Sequence, residues 1–222
     1  MDGNTDTKAA TKGERTRAFI LDHATAIASR LGLEGLTIGS LAEATGMSKS
    51  GLFAHFGSRE ELQLAVLEDA AQRFADVVAQ PSFKVPRGLP RLRAMFEFWL
   101  NWSEHAGLGG GCPILAASFE YDDRPGRIRD TVAALQRLGV GTVEKAARIA
   151  VEQGHLRAGT DVKQLVFELY GFLLSFYLYG RLLGDREAHG RAMAAFDKLM
   201  AQHLPESFHA ASPSAARAVS HS

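Results

Sequence analysis

Between Thr37 and Leu62 the chain reads TIGSLAEATGMSKSGLFAHFGSREEL, and this stretch restricts the possible folds more than any other. Thr37 is a good N-cap for a short helix holding Leu41 and Ala42. Small Ala42 lets a second helix approach closely. Gly46 can take the positive φ that ends the first helix without a Cβ penalty. Ser48 can cap the next helix, Lys49 to about His55, whose Leu52 then lies over the first. Ser58 and Glu61 form an S-x-x-E capping box for a third. Two short helices joined by a tight glycine turn have the geometry of a helix-turn-helix, whose second helix enters the DNA major groove.

The flanking sequence is helical throughout. From Glu14 to Leu31, Ile20, Ala24, Ile27, Ala28 and Leu31 recur with a 3.6-residue period, and Gly32 is placed to end that helix. After Leu62, a long helix through Val66, Phe74 and Val77 is expected to break at Pro81, with 81–90 as a linker. Leu92, Met95, Phe96, Trp99 and Leu100 mark another helix. Ile114, Leu115 and Phe119 follow a glycine-rich turn. A longer helix runs from Pro125 through Val132 and Leu138 to Ala150, with Gly139 and Gly141 expected to bend it. Asp161 with Gln164 boxes the start of an apolar helix reaching Leu183, and the last helix carries Ala192, Phe196, Leu199 and Met200. No alternating strand pattern occurs, so the expected class is all-α. The expected organisation is a flexible arm (1–13), a three-helix helix-turn-helix domain (14–60), a larger helical ligand-binding and dimerisation domain (61–204), and a disordered tail (205–222).

Composition narrows the function. Lys plus Arg and Asp plus Glu both number 25, so no global basic charge announces nucleic acid, although a small reading head in a neutral protein shows the same balance. The single cysteine, Cys112, fits a reducing cytoplasm. Residues 1–18 lack the apolar core of a signal peptide. Glu168 and Arg181 interrupt the most membrane-like segment, Leu165 to Leu183, which is expected to be a buried helix, so no membrane is expected. The eight histidines are scattered without an i, i+4 metal pair. No nucleophile elbow, P-loop or dinucleotide fingerprint is present, so no enzyme, metal or cofactor is expected. The rival readings are a helical protein-binding adaptor and a small helical enzyme.

The first helix through Leu31, Leu36-Thr37, Leu41-Ala42, Gly46-Met47-Ser48 and Leu52-Phe53-Ala54-His55-Phe56 with Arg59 and Leu62 together resemble the TetR family of bacterial transcriptional regulators. Gly111-Cys112-Pro113 and the stretch from Glu120 to Gly126 are similar to C-terminal halves in one subset of that family. The resemblance implies a cytoplasmic homodimer that binds a palindromic operator in double-stranded DNA, usually as a repressor, and is released by a small molecule. It also implies that Lys49, Ser50, Gly51 and Ala54 face the groove, while Thr37, Phe53, His55 and Arg59 touch phosphate or support such contacts. Lys49 suits guanine O6/N7 or phosphate equally. Ser48 and Ser50 can bond bases or cap the helix. Gly51 and Ala54 permit close approach. Phe53 stands where the family often has tyrosine and lacks the hydroxyl. His55 is a phosphate donor or a structural residue, and Arg59 contacts phosphate or pairs with Glu60 or Glu61.

In the body, the helix from Leu165 to Leu183 is apolar nearly all round and needs covering on several sides. Paired with the helix around Phe196 it would form a four-helix seam across a two-fold axis. Leu165, Leu169, Leu173, Phe196, Leu199 and Met200 are the expected interface, with an intramolecular core as the alternative. Phe96, Trp99 and Trp102, with Phe119, Phe172 and Phe176 opposite, are expected to line a cavity for an apolar or aromatic effector, oriented by Glu120 and Tyr121. Core packing explains the same aromatics, and a helix-end surface role explains Glu120 and Tyr121. Cys112 is a candidate thiol sensor.

Overall fold

Thr11 opens the first helix through a reciprocal capping box: its hydroxyl accepts from Glu14 N at 3.2 Å and its own N–H donates to the Glu14 carboxylate at 2.7 Å. In the computed structural model, which describes residues 11–205, eleven α-helices follow one another, with no strand among the described residues. They are α1 (Lys12–Gly35), α2 (Ile38–Thr45), α3 (Lys49–Phe56), α4 (Arg59–Phe74), α5 (Gln80–Lys84), α6 (Leu89–Leu100), α7 (Trp102–His105), α8 (Pro113–Glu120), α9 (Arg127–Glu152), α10 (Val162–Tyr177) and α11 (Ala188–Gln202). The expected arm and tail lie almost wholly outside the described residues.

These helices form two compact units that do not follow the chain linearly. Among the described residues, one holds 11–73 together with 106–135; the other holds 74–105 and 136–205. The first therefore contains α8 and the start of α9 as well as α1 to α4, which the expected division at residue 60 did not provide. Its core joins Ile20, Ala24, Ala28 and Leu33 of α1 to Leu41, Leu52, Leu62, Val66, Ala117 and Ile128. Leu41 and Leu52 are fully buried, so truncating either to alanine should cost about 2–5 kcal/mol. Buried Thr25 donates to Asp69 at 2.6 Å, and Arg73 clasps Asp69 and Asp22, which ties α4 to α1.

Gly32 breaks the helical geometry of α1 as expected, at φ 75°, ψ 176°, and one more turn then runs on to Gly35. Three other local expectations change. Pro81 does not break the path after α4. A π-turn at Ala75–Ala79 carries it into α5, where Pro81 falls in the first turn and its missing N–H costs little. Gly139 and Gly141 do not interrupt α9, which runs unbroken from Arg127 to Glu152; a Cβ at Gly139 would stand 3.0 Å from the Tyr170 hydroxyl, so this glycine makes room for a side chain. Asp161 caps α10 through Lys163 N and Gln164 N, but Gln164 turns away to Glu168, leaving half of the expected box.

The second unit packs α6, α9, α10 and α11 around Leu92, Phe96, Ala147, Leu165, Leu169, Leu173, Phe196 and Leu199. Phe96 stacks on Phe196 with ring centroids 5.1 Å apart. All six residues expected at a subunit interface, Leu165, Leu169, Leu173, Phe196, Leu199 and Met200, are instead in this internal core, none more than 4% exposed. The opposite face of α10 and the π-turn after it (Leu178–Leu182) is open. Phe167, Leu174, Leu178, Tyr179, Leu182 and Leu183 stand 42–76% exposed. The segment Val162–Leu182 is long and apolar enough to cross a membrane by length and composition, yet one side of it is built into the core, so it is not the fully buried helix expected.

Candidate nucleic-acid interface

The α2–turn–α3 segment forms for local reasons. Thr37 Oγ1 accepts from Ser40 N at 3.0 Å while Ser40 Oγ accepts from Thr37 N at 3.1 Å, a capping box with serine in the acidic position. Gly46 ends α2 in the left-handed region at φ 67°, ψ 15°. Ser48 Oγ then accepts from Gly51 N at 3.2 Å and starts α3. Leu52 and Phe56 turn inward, which leaves Lys49, Ser50, Phe53 and Ala54 exposed on the other face. Ser50, Phe53 and Ala54 follow i, i+3, i+4 spacing, so they form one stripe. Such a stripe on a short, rigidly capped helix fits the major groove.

Other expected residues are placed differently. The hydroxyls of Thr37 and Ser48 are committed to capping. Ser48 also shares a hydrogen bond with Ser50 at 3.2 Å. Gly51 is half-buried, and a Cβ there would press on Ser48 Oγ at 3.2 Å, so its smallness serves the cap as well as the surface. His55 is half-buried behind the stripe. Arg59 pairs with neither Glu60 nor Glu61. Its guanidinium donates to Glu34 O at 2.8 Å and Leu36 O at 3.3 Å and pairs with the Glu34 carboxylate at 3.2 Å, so it holds the corner before α2. Glu61 N takes the Ser58 cap at 3.1 Å, while the Glu60 and Glu61 carboxylates pair with Arg127. Exposed Arg17 lies 4.9 Å from the centre of the Phe56 ring and adds a cation beside α3.

That corner carries a dense polar network. Tyr121 donates to Glu34 Oε1 at 2.6 Å, and Gln63 donates to Leu33 O at 2.8 Å and to the Tyr121 oxygen at 3.2 Å. The Tyr121 bond, with Arg59 and Arg124 nearby, holds the Glu34 carboxyl below its usual range. Burial, then the bond to Glu34, pushes the Tyr121 hydroxyl up to about 12. Glu120 accepts from Leu33 N at 2.9 Å and Glu34 N at 3.3 Å. Glu120 and Tyr121 thus serve the helix-turn-helix unit, not an effector pocket. No local pattern reveals partners 86 and 87 residues apart in sequence.

The remaining pocket candidates do not converge on one cavity. Phe119 is 66% exposed and belongs to the first unit with Glu120. In the second unit Phe96 and Trp99 line a cavity of about 10 Å³ with Leu92, Met95, Leu169 and Tyr170, too small for a ligand. Trp102 is fully buried, donating to the Tyr177 hydroxyl at 3.2 Å under the edge of Phe74. Phe172 and Phe176 line a separate groove of about 230 Å³ between α10 and α11, with Tyr179 and Arg191. Cys112 Sγ accepts from Leu115 N at 3.3 Å and caps α8.

Comparison with known proteins agrees with this geometry. The family model described as bacterial regulatory proteins, tetR family, matches residues 20–66, and the one described as tetracyclin repressor-like, C-terminal domain, matches residues 88–196. The chain belongs to the TetR family. It is 32% identical over 112 residues to the HTH-type transcriptional repressor AcnR of Corynebacterium efficiens, an alignment covering 42% of this chain and 60% of the relative. Across the AcnR relatives matched, the chain spans 34–60% of their length. A TetR regulator structure from Chloroflexus aurantiacus is similar with a TM-score of 0.79 and 25% identity, covering 86% of this chain and 97% of that one. The structure of AibR in complex with isovaleryl coenzyme A and operator DNA shares the fold, with a TM-score of 0.65 and 23% identity over 85% of this chain and 98% of that one. TetR membership places this chain among regulatory proteins rather than enzymes.

Proposed function

We propose that this TetR-family chain is a cytoplasmic transcriptional repressor that binds a palindromic operator as a homodimer and leaves it when a small molecule binds the second unit. One observation carries the reading: the exposed Lys49, Ser50, Phe53 and Ala54 face of α3, held behind the left-handed Gly46 turn. The repressor name of the AcnR relatives supports the direction of control. With only Lys49 and Ser50 offering polar groups for bases, affinity rests heavily on phosphate and falls steeply with salt.

The exposed stripe of α10 is the dimer surface in this reading. Phe167, Gly171, Leu174 and Leu178 recur at i, i+4, i+7 and i+11, a continuous apolar seam that a second copy covers by two-fold symmetry. An apolar or aromatic effector enters where Phe96, Trp99 and Tyr170 meet, and must widen a cavity that is closed in this conformation. AibR was crystallised with an acyl-coenzyme A, and apolar acyl groups are therefore the first ligands to screen.

The test is selection of bound sequences from random duplexes at low salt, followed by a small-molecule panel on the selected site. A two-fold-symmetric consensus bound by a dimer, and displaced by a panel member, supports the proposal. Failure to enrich any sequence would favour the adaptor reading, and vesicle binding through α10 would replace the dimer.

A further inference from the structure

We propose that Glu120, far from the recognition helix in sequence, is a positioning residue for DNA reading: its carboxylate is the built-in anion that sets the corner from which α2 and α3 are presented. The inference rests on the DNA-binding reading and extends it to a residue outside the matched tetR-family segment 20–66.

The corner begins where Gly32 leaves helical geometry at φ 75°, ψ 176°. A break of this kind frees the N–H groups of the next turn, which have no carbonyl four residues back to bond. Those of Leu33 and Glu34 converge on one Glu120 oxygen, at 2.9 and 3.3 Å. The other oxygen lies 1.7 Å from where a Gly32 Cβ would be, so the carboxylate occupies the space that only glycine leaves. Two independent features, a left-handed glycine and a pair of converging amides, are thus matched to one anion.

The remaining groups of this turn are held from α4 and from the end of α8. Gln63 binds Leu33 O, Arg59 binds the carbonyls of Glu34 and Leu36, and Tyr121 and Arg124 hold the Glu34 carboxylate. Leu36 is fully buried, and the next residue, Thr37, is the cap from which α2 starts. Fixing Leu33 to Leu36 therefore fixes the direction of α2, and through Gly46 that of α3. Helix α8 is itself anchored to α1, because Gly111 N donates to Ser29 O at 2.8 Å and buried Ser29 Oγ donates to Gly111 O at 2.8 Å.

Phosphate attraction needs charge near the backbone, whereas base readout needs α3 in register with the groove. Loss of Glu120 should therefore weaken specific binding more than non-specific binding. The experiment measures operator and random-duplex affinity by fluorescence anisotropy for the full chain, Glu120→Ala, Glu120→Gln and Phe119→Ala, with amide exchange at Leu33 and Glu34. Glu120→Ala is expected to lose about ten-fold on operator and less than two-fold on random duplex, with faster exchange at both amides. Glu120→Gln, whose carbonyl still accepts, should recover most of the loss, and Phe119→Ala should match wild type. Unchanged operator affinity in Glu120→Ala, a parallel loss on both duplexes, or no recovery with glutamine would overturn the proposal. If Glu120→Ala does not fold, the glutamine variant and its exchange rates decide. A wild-type chain that selects no sequence would instead defeat the DNA-binding reading itself.

Discussion

Gly110→Ala should destabilise the first unit, while the same change one residue earlier should not. A Cβ at Gly110 would lie 2.1 Å from the carbonyl oxygen of Ser29 and 2.3 Å from its carbon, both backbone atoms of α1 that cannot yield. Gly110 is not among the positive-φ glycines, so the cost is contact and not conformation. The loop must retreat, breaking Gly111 N to Ser29 O and Ser29 Oγ to Gly111 O, each 2.8 Å. Ser29 is only 6% exposed, so water does not readily replace the lost partners. Two net hydrogen bonds at about 1 kcal/mol each, plus about 1–3 kcal/mol for a stranded buried polar group, give roughly 3–5 kcal/mol. At Gly109 the added Cβ meets only the flexible Arg30 side chain at 3.9 Å, and the change should stay within about 0.5 kcal/mol. Urea unfolding followed by far-ultraviolet circular dichroism measures both. Tryptophan fluorescence in parallel reports on the other unit, because Trp99 and Trp102 both lie there. If the two alanine variants unfold within about 0.5 kcal/mol of each other, the steric argument is wrong.

Further expectations concern DNA, assembly and pH. Lys49→Ala should cut operator binding several-fold in a gel-shift titration while leaving the circular dichroism unchanged. A uniform loss across sequences with a salt slope smaller by about 1 marks a phosphate contact, and a loss confined to the operator marks a base contact. Leu178→Asp, on the exposed face shared by α10 and the π-turn after it, should sediment as a monomer at micromolar concentration; a persistent dimer would move the interface elsewhere. Leu165→Ala, in the core, should instead lower stability by about 2–5 kcal/mol in the same urea titration. The raised Tyr121 pKa means that its contribution to stability is complete below pH 10.0 and is lost as pH rises through about 12, since the unfolded chain ionises first. Ultraviolet tyrosinate titration should show that late step and Tyr121→Phe should remove it. Glu34 has the opposite sign: its contribution is present above 4.5 and is lost as pH falls through its depressed folded value.

Much of the helix-turn-helix was legible in the linear chain because its determinants are local. The caps at Thr37 and Ser48 act within three residues, and the left-handed turn needs only Gly46 itself. Helix identity in the body was equally legible, since a 3.6-residue apolar period requires no partner to be recognised. Which side of α10 is inside was not. The stripe of Leu165, Leu169 and Leu173 and the stripe of Phe167, Leu174 and Leu178 are equally apolar, and only the packing of α6, α9 and α11 against the first settles that the second is exposed. Arg59 and Glu120 show the same limit in polar form. Their side chains reach the corner at Leu33–Leu36 from α4 and α8, and hydrogen bonds to distant backbone leave no periodicity behind. The amino-acid order by itself therefore determined the elements, their caps and the helix-turn-helix. Tertiary packing decided which faces are spent on the core and which carboxylate holds the corner before α2, because burial and long-range hydrogen bonding depend on neighbours that sequence distance does not encode.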